Sequence, residues 1–139
     1  MSVGVLLITH NGIGASLLQT ATAMLEARPL RIDSLAVTPD ADPEQLVAQA
    51  EALLRELDGG DGVLVLTDMF GSTPSNIATR LRFPGSLAVV AGVNLPMLVR
   101  VLNYASLGLQ DLVEKAASGG ARGVLCCQCA PPSDEGSPS

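Results

Sequence analysis

Three short apolar runs, each stopped by a polar or glycine-bearing turn, constrain this chain more than any other feature. They occupy residues 3–8, 63–66 and 87–91. A strand with one face in water alternates apolar and polar residues, because successive side chains point to opposite sides. A strand with no polar face must be covered on both sides, and a parallel sheet between two layers of helices does that. Between the runs the pattern changes to helical spacing, with Leu17, Leu18, Ala21, Met24 and Leu25 on one face of the first such segment. Alternating strands and helices predict an α/β fold, a mainly parallel sheet of four strands with helices on both faces, joined by right-handed crossovers.

The elements follow from local signals. Strands are expected over residues 3–9, 32–37, 63–67 and 86–91, and helices over 14–27, 42–57, 74–81, 95–103 and 109–118. Asp42 followed by Pro43, with Gln45 three residues on, predicts a capping box. Thr73 followed by Pro74 reads as a second N-cap with a first-turn proline, and Gly119-Gly120 as a helix stop. Residues 122–126 are expected to make a short last strand, with Cys126, Cys127 and Cys129 as buried strand residues by default and reversible oxidation as the other reading. Three cysteines in one short stretch build no disulfide framework and lack four-ligand metal spacing, so neither a metal nor another cofactor is expected. Residues 128–139 are composed like a disordered Pro/Ser-rich tail, leaving 1–127 as one domain.

Composition removes several functions. The chain of 139 residues carries a formal net charge of −6, and its 8 cations are scattered, which argues against nucleic acid as a partner. No segment approaches the ~20 apolar residues that cross a bilayer, and the start lacks the charged region of a signal peptide. A cytoplasmic protein is expected.

The strand ends hold the chemistry. His10 is the one histidine of the chain, and it closes the first apolar run before Asn11-Gly12. Asp68 closes the third strand, ahead of Gly71, Ser72 and Thr73. In open parallel sheets ligands gather at the carboxyl ends of strands, which would bring these residues into one crevice. A carboxylate beside an imidazole fixes its tautomer and stabilises positive charge on the ring, freeing the other nitrogen to attack. No Lys or Arg stands in these loops. An arriving phosphoryl group would have to use backbone N–H groups at the helix starts near Gly14 and Pro74 and the hydroxyls of Ser72, Thr73 and Ser75. Taken singly, each residue has a plainer role: His10 as a hydrogen-bonded structural residue, Asp68 as a turn cap. There is no Walker phosphate loop and no nucleophile elbow.

Three motifs in register narrow the choice. Leu7-Ile8-Thr9-His10-Asn11-Gly12, the stretch from Val63 through Asp68-Met69-Phe70-Gly71-Ser72-Thr73-Pro74 to Asn76, and Ala91-Gly92-Val93-Asn94-Leu95-Pro96-Met97-Leu98 resemble the enzyme IIA domain of the mannose family of the bacterial phosphoenolpyruvate-dependent phosphotransferase system. The likeness runs over roughly residues 2–126. It implies a fifth, antiparallel strand exchanged across a homodimer. It implies that His10 takes a phosphoryl group from the carrier HPr and passes it to an enzyme IIB, touching the membrane only through a permease. Asp68 would orient His10, Thr73 would set a hydroxyl beside the phosphohistidine, and Gly71 and Ser72 would line the same loop. Met69 stands where other members can carry a hydroxyl residue. With no room for a fused IIB domain, a stand-alone IIA protein is expected. Two other roles share these residues: the phosphotransfer subunit of a dihydroxyacetone kinase, and a regulatory module whose phosphorylation state is its output.

Overall fold

The computed structural model describes residues 2–25 and 31–129. In chain order its elements are β1 (Gly4–His10), α1 (Ile13–Leu25), β2 (Ile32–Val37), α2 (Pro43–Leu57), β3 (Val63–Thr67), α3 (Thr73–Thr79), β4 (Leu87–Ala91), α4 (Leu95–Asn103) and α5 (Leu109–Arg122). The four strands form one sheet in the order β2-β1-β3-β4, and all three pairings are parallel.

Because β1 and β3 are central, every residue of β3 and all but the last of β1 are buried. Alternation of side chains splits them between two cores. Val5, Leu7, Leu64 and Leu66 face Ala21 of α1, Met97, Leu98 and Val101 of α4, and Leu112 and Ala116 of α5. Leu6, Ile8, Val63 and Val65 face Leu46, Ala50 and Leu54 of α2 and Ile77 and Ala78 of α3. That two-sided burial is why the runs show no polar period. Gly4 begins β1 where a Cβ would run into the Leu57 carbonyl oxygen, so glycine is required there by the approach of the end of α2.

Several boundaries differ from expectation for local physical reasons. The helix of residues 109–118 does not stop at Gly119-Gly120; it continues to Arg122. These glycines are packing positions: a Cβ on Gly119 would lie 2.5 Å from Arg100 Cδ, and one on Gly120 2.7 Å from Met97 Cε. Their bareness lets α5 close onto α4. At α2 the side chain of Asp42 accepts from the Glu44 N–H at 3.2 Å, and no bond returns from Gln45, so the cap is a single bond rather than a capping box. Ser72, not Thr73, holds the N-cap position of α3, with no side-chain cap bond, and α3 ends at Thr79. Met24, expected on the inner face of α1, is exposed.

No fifth strand occurs among the described residues. Arg122 belongs to α5, and residues 121–129 are all exposed. The three cysteines are therefore not buried strand residues. One long edge of β4 has no pairing partner among the described residues, and β4 itself is half-buried throughout. The expected helical residues 26 and 27 and tail residues 130–139 lie outside the described residues. No described helix is long and apolar enough to cross a membrane.

Candidate functional site

The strand order fixes where the site lies. From β1 the chain crosses to β2 on one side, and β3 then enters on the other, so the connections leaving the carboxyl ends of β1 and β3 diverge. Such a divergence opens a crevice at the sheet edge. His10 is the last residue of β1 and Asp68 the first after β3.

The β1–β3 register ends at the Ile8↔Thr67 pair, so the His10 N–H lies beyond the last strand partner on that side. Asp68 takes its place. One carboxylate oxygen, Oδ2, accepts both the His10 backbone N–H at 3.0 Å and the ring Nδ1–H at 2.8 Å. Burial works against the charge on Asp68, but the His10 backbone and ring donors outweigh it and hold the carboxyl below its ordinary value of 3.8. An ionised carboxylate on Nδ1 fixes the proton there, so Nε2 keeps its lone pair. The ring is partly open, with the side chain of His10 39% accessible against 11% for Asp68. The result is a ring nitrogen with a free lone pair facing outward, held by an anchored, anionic carboxylate.

The turn after His10 is shaped by two residues that the motif reading passed over. Asn11 has φ +46°, the one positive φ outside glycine among the described residues, and its N–H is held by the Val37 carbonyl at 2.9 Å. Asparagine tolerates this left-handed conformation, which folds the chain straight into α1. Thr9 is fully buried, and its Oγ1 accepts the Gly14 N–H at 2.7 Å. The Asn-Gly pair was the sequence signal for the first. Thr9 gave none, because its direction depends on the helix folding back.

These bonds decide which amides remain for an anion. The first four N–H groups of a helix have no partner within it. The Gly14 N–H, expected at the site, is committed to Thr9, and the Ser16 N–H to the Gly12 carbonyl. Gly12, Ile13 and Ala15 keep unpaired N–H groups at the positive end of α1, beside His10.

The hydroxyls sort themselves as clearly. Thr73 lines a cavity of about 350 Å³ together with His10, Asn11, Thr38, Pro39 and Pro43. The Ser72 hydroxyl donates to the Met69 carbonyl at 2.5 Å and is spent within its own turn, and Ser75 is buried. Gly71 takes φ +84° to turn that loop, with open space around it. No Lys or Arg lines this cavity, nor a second one on the α1 side bounded by Gly12, Ile13, Ser16 and Leu95. Beside the crevice Phe70 and Met69 stand in solvent, Phe70 at 85% exposure. The third motif has a structural task. Asn94 caps α4 by accepting the Met97 N–H at 2.9 Å, and its amide donates to the Gly120 carbonyl at 3.1 Å, fastening α5.

The likeness to known proteins spans most of the chain. Residues 4–117 match the family model EIIA-man, described as the PTS system fructose IIA component. The PTS system mannose-specific EIIAB component of Escherichia coli K12 is 31% identical over 134 residues, 94% of this chain but 41% of that protein. The same protein of Shigella flexneri aligns equally. The chain thus spans less than half the length of these curated relatives. Among solved structures, a mannose/sorbose specific IIA subunit from Enterococcus faecalis superposes with a TM-score of 0.80 at 24% identity, covering 96% of this chain and 100% of that one. A PTS IIA protein associated with the fucose utilization operon of Streptococcus pneumoniae gives 0.69 at 27% identity, covering 85% and 93%. A match over most of the length makes this chain a member of the EIIA-man family of phosphotransferase-system IIA components.

Proposed function

We propose that this protein is a phosphoryl carrier of the sugar phosphotransferase system, with Nε2 of His10 as the acceptor atom, phospho-HPr as donor and an enzyme IIB as acceptor. The observation that carries the reading is the 2.8 Å contact of His10 Nδ1 with Asp68. The Nε2 lone pair attacks phosphorus, the N–P bond forms, and the bond from phosphorus to the donor breaks with its electron pair returning to the donor. Substitution at Nε2 while Nδ1 keeps its proton makes the ring cationic, and Asp68 stabilises that charge. The phosphoryl oxygens are met by the Gly12, Ile13 and Ala15 amides and the Thr73 hydroxyl, with Gly71 giving the loop its turn; Ser72 supports that turn and not the phosphate. The exposed Phe70 and Met69 suit a surface that successive carrier proteins cover and leave.

The unpaired edge of β4 and the exposed Val124 and Leu125 after α5 support a homodimer in which residues beyond α5 add an antiparallel strand to the partner's sheet. The place of work is the cytoplasm, with membrane contact only through a permease.

The test is a reconstituted relay of phosphoenolpyruvate, enzyme I and HPr. It should label the protein once, through an acid-labile, base-stable bond, with the label discharged by an enzyme IIB. Labelling that persists in His10→Ala overturns the reading. A monomeric mass at micromolar concentration overturns the dimer alone.

A further inference from the structure

The segment after α5 carries chemistry that phosphoryl transfer does not use. Cys126 and Cys129 are three positions apart with Cα atoms 5.7 Å from each other, a separation that a disulfide spans; Cys127 between them is a free, exposed thiol. All of residues 121–129 are exposed, so a bond there joins no two elements of the fold and lies open to reagents in solution. Among the described residues no group of three His, Cys, Asp or Glu is arranged to hold a metal ion. Two cysteines separated by two residues are the spacing at which thiols and disulfides interconvert readily.

We propose that Cys126 and Cys129 form a thiol–disulfide exchange site whose co-reactant is a low-molecular-weight or protein disulfide, and whose closure holds the segment in a turn. In the oxidative direction one cysteine thiolate attacks a sulfur of the co-reactant, forming a mixed disulfide and expelling one thiolate. The second cysteine thiolate then attacks the first cysteine's sulfur, closing the Cys126–Cys129 bond and expelling the other thiolate. The two protons lost by the cysteines go to the two leaving groups. The dithiol is oxidised by two electrons, and the co-reactant is reduced to two thiols.

Geometry gives the closed form a consequence. Residues three apart in an extended strand are about 10 Å apart, at ~3.3 Å per residue. A Cα separation of 5.7 Å cannot be part of a strand. Closure therefore confines any strand on the β4 edge to residues before Cys126, whereas the dithiol lets it run on. This second step rests on the dimer reading given above; the exchange site does not.

The experiment equilibrates the full chain in glutathione buffers of graded ratio, then traps thiols by alkylation and reads intact mass and modified positions. Under reducing ratios all three cysteines should be alkylated. Under oxidising ratios Cys126 and Cys129 should escape alkylation without gaining glutathione, the chain being lighter by two hydrogens, while Cys127 is alkylated or carries one glutathione. Cys129→Ser should stop at a glutathione adduct on Cys126. Three alkylated cysteines at every ratio, or pairing through Cys127, overturn the proposal. Sedimentation of the two forms then reads the consequence: a dimer dissociation constant raised severalfold on oxidation is expected. Equal constants overturn the coupling, and a monomer in both states overturns it together with the dimer. Neither result touches the thiol counts, and neither thiol result touches labelling of His10.

Discussion

Asp68→Asn separates what the carboxylate does from what its shape does. The amide keeps the size and one acceptor oxygen, so the Nδ1–H bond at 2.8 Å can survive, while the charge is lost. Opposite unit charges about 4 Å apart are worth about 4 kcal/mol at an effective dielectric of 20. The imidazole is 39% accessible, which screens the pair, and about 2–3 kcal/mol is a fair share to assign to the charged state of the ring. At 1.36 kcal/mol per decade that predicts labelling from phospho-HPr slower by ~30- to 150-fold. The assay is rapid quench with radiolabelled phospho-HPr in excess, comparing single-turnover rates of variant and wild type. Circular dichroism and urea midpoints confirm that the fold is intact. A rate within threefold of wild type, with the fold intact, would refute the argument that Asp68 acts through its charge. The pH dependence has a definite sign. The folded carboxyl lies below its ordinary 3.8, so its stabilising contribution is complete above that value and disappears as pH falls through the lower, folded value. Between pH 5 and 8, Asp68 should therefore add no slope to stability, and Asp68→Asn should remove part of the acid limb of a urea-midpoint profile.

Three further substitutions test the supports of the site. Thr9→Val keeps the volume but strands the buried Gly14 N–H, and should cost about 1–3 kcal/mol by urea denaturation. Unchanged stability would mean that the 2.7 Å bond does not anchor α1. Asn11→Ala places a less tolerant residue at φ +46° and should cost about 1 kcal/mol, whereas Asn11→Gly should restore the loss; equal midpoints for the two would refute a left-handed Asn11. Gly4→Ala drives a Cβ into the Leu57 carbonyl and should destabilise by about 1–3 kcal/mol in thermal or urea melts, and a neutral result would show that α2 does not close on β1 as described.

Much of this fold was legible because its signals are local. The apolar runs, the turns that stop them and the helical spacing between them depend on near neighbours, and they placed β2, β3 and α4 to the residue. The errors arose where a residue serves something distant. Gly119 and Gly120 look like a helix stop, yet what they answer to is the side chains of Arg100 and Met97 on another helix. The cysteines in an apolar tail look like core, yet none of the described residues covers them. At the site, His10 and Asp68 could be paired from strand ends alone, since the topology brings those ends together. The division of labour among Ser72, Thr73 and Ser75 could not, because it turns on which hydroxyl a three-residue turn consumes.

The missing cation then becomes part of the chemistry. A phosphoryl way-station must accept the group and release it, so its phosphorylated state cannot lie far below that of donor or acceptor. An arginine fork would add a bidentate, doubly charge-assisted clamp to the phosphoryl oxygens and deepen that state. The loops around His10 offer neutral donors instead: the Thr73 hydroxyl in the cavity that His10 lines, and unpaired amides at the start of α1. Each amide on an anion contributes roughly 1.5–3 kcal/mol, enough to orient the group and balance the charge that Asp68 leaves on one side. Thr9 matters here through what it removes. By consuming the Gly14 N–H it sets both the position of α1 and the number of amides left unpaired at its start. On the proposed function, a buried threonine thus limits the donors offered to the phosphoryl group. Thr9→Val frees one amide but releases the anchor of α1, and because the amides must be positioned to act, it should slow labelling of His10 even in buffer where the variant remains fully folded.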